Sequence, residues 1–183
     1  MVKMTRVSGT LVAAALAAAL TGCSPAPTPS PTSSATETPS PTPTTLPPAE
    51  QDLANAKSAV VKLWAVVDRL TNDPAASLQP LDEVASGTAL EFFRKNLTGY
   101  RLEQLTGSGS QVVEPRSAEL AGKNGDGLTT WTVMACVDAS QTKLVDTSGK
   151  NVTAPPYRIL HRSVVVQRSA ALFVDQDDVL GTF

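Results

Sequence analysis

Apolar residues Leu53, Ala56, Val60, Leu63, Trp64, Val67 and Leu70 recur at intervals of three and four. That spacing gathers them on one face of a helix from about Ala49 to Thr71, which Asn72-Asp73-Pro74 ends. A short second helix is predicted around Pro80 to Ser86. Pro80 suits a first turn, Asp82 and Glu83 favour the positive end of the helix, and Gly87 follows. Thr88-Ala89-Leu90-Glu91 reads as a capping box opening a third helix. Its inner face is Leu90, Phe93, Leu97, Tyr100 and Leu105, and Gly107 is its stop. Gly99, inside that helix, costs about 1 kcal/mol relative to alanine and so marks a kink or a close packing contact.

After Gly109 the period falls to two. Ser110 to Leu120 reads as a strand with Pro115 at an edge or bulge, and Asn124-Gly125-Asp126-Gly127 is a hairpin turn. In Leu128 to Ala139, residues Trp131, Val133, Ala135 and Val137 face one way, and Thr130, Thr132, Met134, Cys136 and Asp138 the other. Ser148-Gly149 predicts a second hairpin whose return arm bends at Pro155-Pro156 and runs on as a strand from Tyr157 to Gln167. A turn near Arg168 and Ser169 leads to a last strand, Ala170 to Asp175. Short turns between successive strands predict an antiparallel meander. A sheet with one apolar face must bury it, and the preceding helices are the available cover. The expected class is therefore α+β, with N-terminal helices packed on a bent antiparallel meander sheet that forms a half-open cone.

Ahead of this domain, expected to span residues 49–183, the chain has a different character. Lys3 and Arg6 precede ten apolar residues, Leu11 to Leu20, and then Thr21-Gly22-Cys23. This is the layout of a secretory signal. Ten residues at about 1.5 Å each cover only half of a ~30 Å hydrocarbon core, too short to span. Leu20-Thr21-Gly22-Cys23 resembles a bacterial lipobox. The resemblance implies a signal peptide over residues 1–22, cleavage between Gly22 and Cys23, and a diacylglycerol on the Cys23 thiol, with acyl chains such as palmitate holding the protein in the bilayer. The implied location is the extracytoplasmic face of the cell membrane. Residues 23–48 would then be the lipidated cysteine and a tether. From Ser24 to Pro48 the chain is almost entirely Pro, Thr and Ser, unable to build a core and expected to be extended and disordered. At ~3.1 Å per residue it reaches at most roughly 75 Å.

The whole chain carries 15 basic and 17 acidic residues, and loss of Lys3 and Arg6 leaves 13 against 17, a net charge of −4. With no basic run, nucleic acid is not an expected partner. If Cys23 is acylated, Cys136 has no partner within the chain and is read as a small buried hydrophobe.

Val66-Val67-Asp68-Arg69-Leu70 with Asp73-Pro74, Thr132-Val133-Met134-Ala135-Cys136-Val137-Asp138, and the closing Val174-Asp175 resemble a group of small lipoproteins of actinobacteria and their temperate phages with an NTF2-like C-terminal domain. A tryptophan often precedes the closing valine in that group, where this chain has Leu172 and Phe173. The resemblance implies a non-enzymatic, membrane-anchored binding domain in the cell envelope. Its partner would be an unidentified envelope protein, a small apolar ligand or an incoming protein, and phage superinfection exclusion is one use.

NTF2-like cones can also enclose a pocket with a carboxylate as general base, and Asp68 is the candidate for that alternative. The plainer reading, a hydrogen-bonded structural residue near a helix end, is preferred. Cys136, Asp138 and His161 invite a nucleophile, base and orienter grouping. No helix N-terminus or glycine-rich turn adjoins Cys136 to lower its thiol pKa, so no catalytic residue is assigned. One histidine and one free cysteine fall short of a zinc ligand set, and Asp175, Asp177 and Asp178 read as a solvated tail without the glycine of a calcium loop. No metal and no cofactor is expected.

Overall fold

The computed structural model describes residues Leu46–Phe183. The apolar run, the Gly22-Cys23 junction and the tether as far as Thr45 lie outside the described residues.

Helix α1 runs Pro48–Asn72, with proline at its first turn and the Asp73 N–H donating to the Arg69 carbonyl at its end. It buries Ala56, Val60, Leu63, Trp64, Val67 and Leu70, six of the seven positions that the three-four spacing selects. Each large side chain so buried contributes about 1.5–3 kcal/mol. The predicted second helix is instead a 3-10 turn, Gln79–Glu83, whose Leu81 is fully buried. Helix α2 spans Gly87–Leu102 and buries Ala89, Phe93 and Leu97. Leu105, also buried, lies beyond its end.

The capping box does not form. Ser86 is the N-cap, without a side-chain cap bond, and both nearby hydroxyls turn to the sheet: Ser86 Oγ donates to Asp175 Oδ1 (2.7 Å) and Thr88 Oγ1 to the Asp175 carbonyl (3.3 Å). The backbone follows the same route, because the Ser86 N–H donates to the Val174 carbonyl and the Val174 N–H to that of Val84. The tertiary bond to the last strand thus replaces the local one. Gly99 faces open space, so it marks no close packing contact. Close approaches occur instead at Gly109, beside the Gln141 carbonyl, and at Gly107, where a Cβ would come within 2.6 Å of Thr71 Cγ2.

The strands are β1 (Thr106–Ser108), β2 (Val112–Lys123), β3 (Thr129–Asp138), β4 (Lys143–Val145), β5 (Arg158–Arg168) and β6 (Ala171–Thr182). The four long ones form an antiparallel sheet in the order β2-β3-β5-β6, while β1 and β4 make a separate antiparallel ribbon. The expected α+β class with a meander sheet under the helices is what the chain adopts. The turn at Asp146–Gly149 forms as expected, with Asp146 Oδ1 accepting from Ser148 and Lys150, but its first arm, β4, pairs with β1. The last strand runs seven residues beyond the predicted Asp175, to Thr182.

The inner face of the sheet carries Trp131, Val133, Ala135 and Val137 from β3, all buried against α1 and α2 as their alternation requires. Bulges bend the edge strands. On β2 the register slips between Pro115 and Ser117 and between Leu120 and Gly122. On β6 an extra residue enters at Asp175, between the Val165–Val174 and Val164–Gln176 pairs, and another at Leu180.

Candidate functional site

A cavity of about 610 Å³ opens between the inner faces of α1 and α2, the inner ends of β3 and β5, and the β1–β4 ribbon with residues 152–157. It is within the roughly 300–1,000 Å³ range of small-molecule sites. The β1–β4 ribbon and residues 152–157 wall one side of it without filling the space between the helices and the sheet. Trp64, Val67, Phe93, Leu97 and Val137 line the interior. Phe92, Val152, Tyr157 and Val179 also line it while staying 37–61% exposed, an apolar rim at the mouth.

Rings run from the sheet to this rim in successive edge-to-face contacts. His161 meets Trp64 (centroids 5.0 Å apart), Trp64 meets Phe93 (5.3 Å) and Phe93 meets Phe92 (5.2 Å). Trp64 Nε1–H, buried, has no hydrogen-bond partner among the described residues.

Two polar constellations touch the cavity. In the first, Asp68 accepts from the Gln111 N–H at Oδ2 (2.8 Å) and from Gln111 Nε2 at Oδ1 (3.1 Å). Burial pushes its carboxyl above the ordinary carboxylate value, and the two Gln111 donors oppose that shift. Both oxygens are engaged in fastening the start of β2 to α1, which is the structural role preferred from sequence. In the second, His161 Nδ1 lies 2.7 Å from Asp177 Oδ2, and Ser163 Oγ donates to Asp177 Oδ1 at 2.6 Å. The side chains of His161 and Asp177 are 6% and 2% exposed. A carboxylate accepts, so Nδ1 is the donor.

This second constellation corrects two sequence expectations. Ala135, and not Cys136, stands opposite His161, so His161 faces the helices while Cys136 points to the other side of the sheet, where Arg116 Nε approaches its sulfur at 3.3 Å. Asp138 shares the Cys136 face, as expected, but is occupied by the Ser140 N–H and by Arg158. Cys136, Asp138 and His161 are therefore not brought together. Asp68 and His161 do line one cavity. Asp177 is no solvated residue but a buried partner of two side chains; only Asp175 and Asp178 keep exposed ion pairs, with Arg168 and Arg162.

Ser163, Asp177 and Gln111 were not foreseen. Ser163 carried the one available signal, being two residues from His161 on the same strand face. The order of the bonds also matters. Ser163 is held by the carboxylate and not by the imidazole, so the three are not arranged as a serine nucleophile with its base. Among the described residues no three of His, Cys, Asp and Glu assemble as a metal-holding group, and no helix is long and apolar enough to cross a membrane.

No protein-family model and no curated protein matches the chain. A solved structure does. The chain is similar to the intermembrane space region of the chloroplast protein ARC6, with a TM-score of 0.52 and 18% identity over 72% of this chain and 98% of that one. At that identity the likeness is one of fold alone, and it supports the α+β architecture.

Proposed function

We propose that this chain is a lipid-anchored binding protein of the extracytoplasmic membrane face, whose cone-shaped domain holds a small, largely apolar ligand without transforming it. The cavity of about 610 Å³ with its exposed apolar rim carries the reading, since solvent-facing Phe92, Tyr157 and Val179 around an apolar hollow are costly unless something covers them. The lipobox-like Leu20-Thr21-Gly22-Cys23 and the Pro/Thr/Ser tether support the anchored part. Asp68, the one carboxylate considered as a general base, has both oxygens taken by Gln111, which favours binding over chemistry. The partner is then a small apolar molecule in the envelope, and neither a metal nor an organic cofactor enters the account.

The test has two arms. The full chain, made in a bacterium that processes lipoproteins, partitions into detergent and takes up a clickable palmitate, whereas Cys23→Ser stays aqueous and unlabelled. Organic extraction of the purified Cys23→Ser chain followed by mass spectrometry releases one small apolar species at close to one per chain. An unlabelled wild type overturns the anchor. A chain that yields no such species and binds no apolar probe overturns the binding role.

A further inference from the structure

We infer that the cavity selects a ligand carrying a hydroxyl group at its inner end, which donates to His161 Nε2; this rests on the binding reading above and adds the chemistry of the ligand's polar end. His161 sits in the cavity wall, between the apolar rings and the buried carboxylate of Asp177. With Nδ1–H committed to Asp177 Oδ2, the uncharged form of the imidazole presents Nε2 as an acceptor, and Nε2 has no hydrogen-bond partner among the described residues. Ser163 Oγ, on the other carboxylate oxygen, holds Asp177 in place. Asp177 and Ser163 are thus positioning residues, and they resemble the outer partners that fix a histidine tautomer for a bound group.

Nε2 is not a sealed orphan, since the buried unpartnered side-chain atoms among the described residues are Trp64 Nε1 and Arg101 Nε; it is an acceptor in the cavity wall that a ligand filling the cavity must match or cut off from water, and the second is unfavourable. A hydroxyl is a small uncharged group that supplies the donor Nε2 needs. The lining supplies no arginine, and its one lysine, Lys143, is on the exposed β1–β4 ribbon, so a carboxylate or phosphate head has little to meet there. The ligand class is a neutral alcohol or phenol with an apolar body.

The probes are 2-naphthol and 2-methoxynaphthalene, which share a ring system and differ in the hydroxyl proton. The full Cys23→Ser chain binds naphthol at least about tenfold more tightly, the discrimination of one well-made hydrogen bond. In His161→Phe the ratio falls close to one while methoxynaphthalene still binds. A second measurement needs no change at the site: His161 is the only histidine of the chain, so tag-free protein with 15N-histidine gives one imidazole. It shows the Nδ1–H tautomer, and naphthol moves the Nε2 resonance. Equal binding of the two probes by unmodified His161, an Nε2–H tautomer, or an Nε2 signal indifferent to naphthol overturns the inference and leaves the cavity as an apolar binding site. Failure of both probes to bind overturns the inference and the binding role together.

Discussion

His161 and Asp177, sixteen residues apart, meet at 2.7 Å on the inner face of the sheet, under the indole of Trp64. The meeting depends on a bulge. Val174 is fully buried on that face, and strict alternation from it turns Asp177 to the opposite side; the extra residue at Asp175 reverses the parity and brings Asp177 inward, opposite Ser163. Asp175 itself is freed by the bulge to take the Ser86 hydroxyl.

Asp177→Ala removes both acceptors from buried donors. Ser163, with no solvent exposure, and His161 Nδ1 are left unmatched, and each such group costs about 1–3 kcal/mol. Urea unfolding is expected to show a loss of roughly 2–5 kcal/mol with little change in m value. A loss below about 0.5 kcal/mol contradicts a buried, bonded Asp177.

Two glycines respond in opposite directions. Gly87 has φ of +50° and a Cβ there would lie 2.7 Å from Asp175 Oδ1, so Gly87→Ala is expected to cost about 1–3 kcal/mol. Gly99 is helical, and a Cβ added there would meet nothing within 4 Å, so Gly99→Ala is expected to gain about 0.5–1 kcal/mol. Thermal unfolding of the two variants checks both signs.

The pH dependence at Asp68 has a definite sign. Burial raises its carboxyl above the ordinary 3.8, the Gln111 bonds notwithstanding, so over the window just above 3.8 the folded chain holds a proton that the unfolded chain has released. Folded stability is present below that window and declines as pH rises through it. Asp68→Asn removes the decline. The difference in unfolding free energy between variant and wild type therefore moves in favour of the variant as pH is raised from 3.8. Asp138, Asp146 and Asp178, whose carboxyls are held below the ordinary value by hydrogen bonds, act below 3.8 with the opposite sign and cancel in the comparison. A difference moving toward the wild type contradicts the buried setting of Asp68.

Cys136 is 8% exposed on the outer face, beneath Arg116. In the Cys23→Ser chain it is the only thiol, and labelling with a maleimide is expected to be at least about a hundredfold slower than after denaturation. Cys136→Ala should leave binding of apolar probes unchanged, because Cys136 does not line the cavity. Rapid native labelling contradicts the burial.

Much of this architecture was legible because it rests on periodic burial. The three-four spacing from Leu53 to Leu70 identified α1, and the alternation of Trp131, Val133, Ala135 and Val137 identified the inner face of β3. What stayed hidden depended on long-range geometry. Thr88 and Glu91 have a capping-box spacing, but the tertiary acceptor Asp175, 87 residues on, takes Thr88. Asp177 looked solvated among neighbouring carboxylates because a bulge is not written in the alternation that it breaks. The Cys136–His161 grouping failed by one residue of register: pairing His161 with Ala135 sends the two side chains to opposite faces.

The central claim is that the hollow beneath Trp64 takes an apolar molecule. Trp64 and Trp131 are the two tryptophans of the chain, and Trp131 is not part of this cavity wall, so Trp131→Phe in the full Cys23→Ser chain leaves Trp64 as the reporter. Titration with 2-methoxynaphthalene, followed by Trp64 fluorescence, is expected to saturate at one molecule per chain. A fluorescence change that stays linear in probe, as for collision with an exposed surface, or no change at all, contradicts the account.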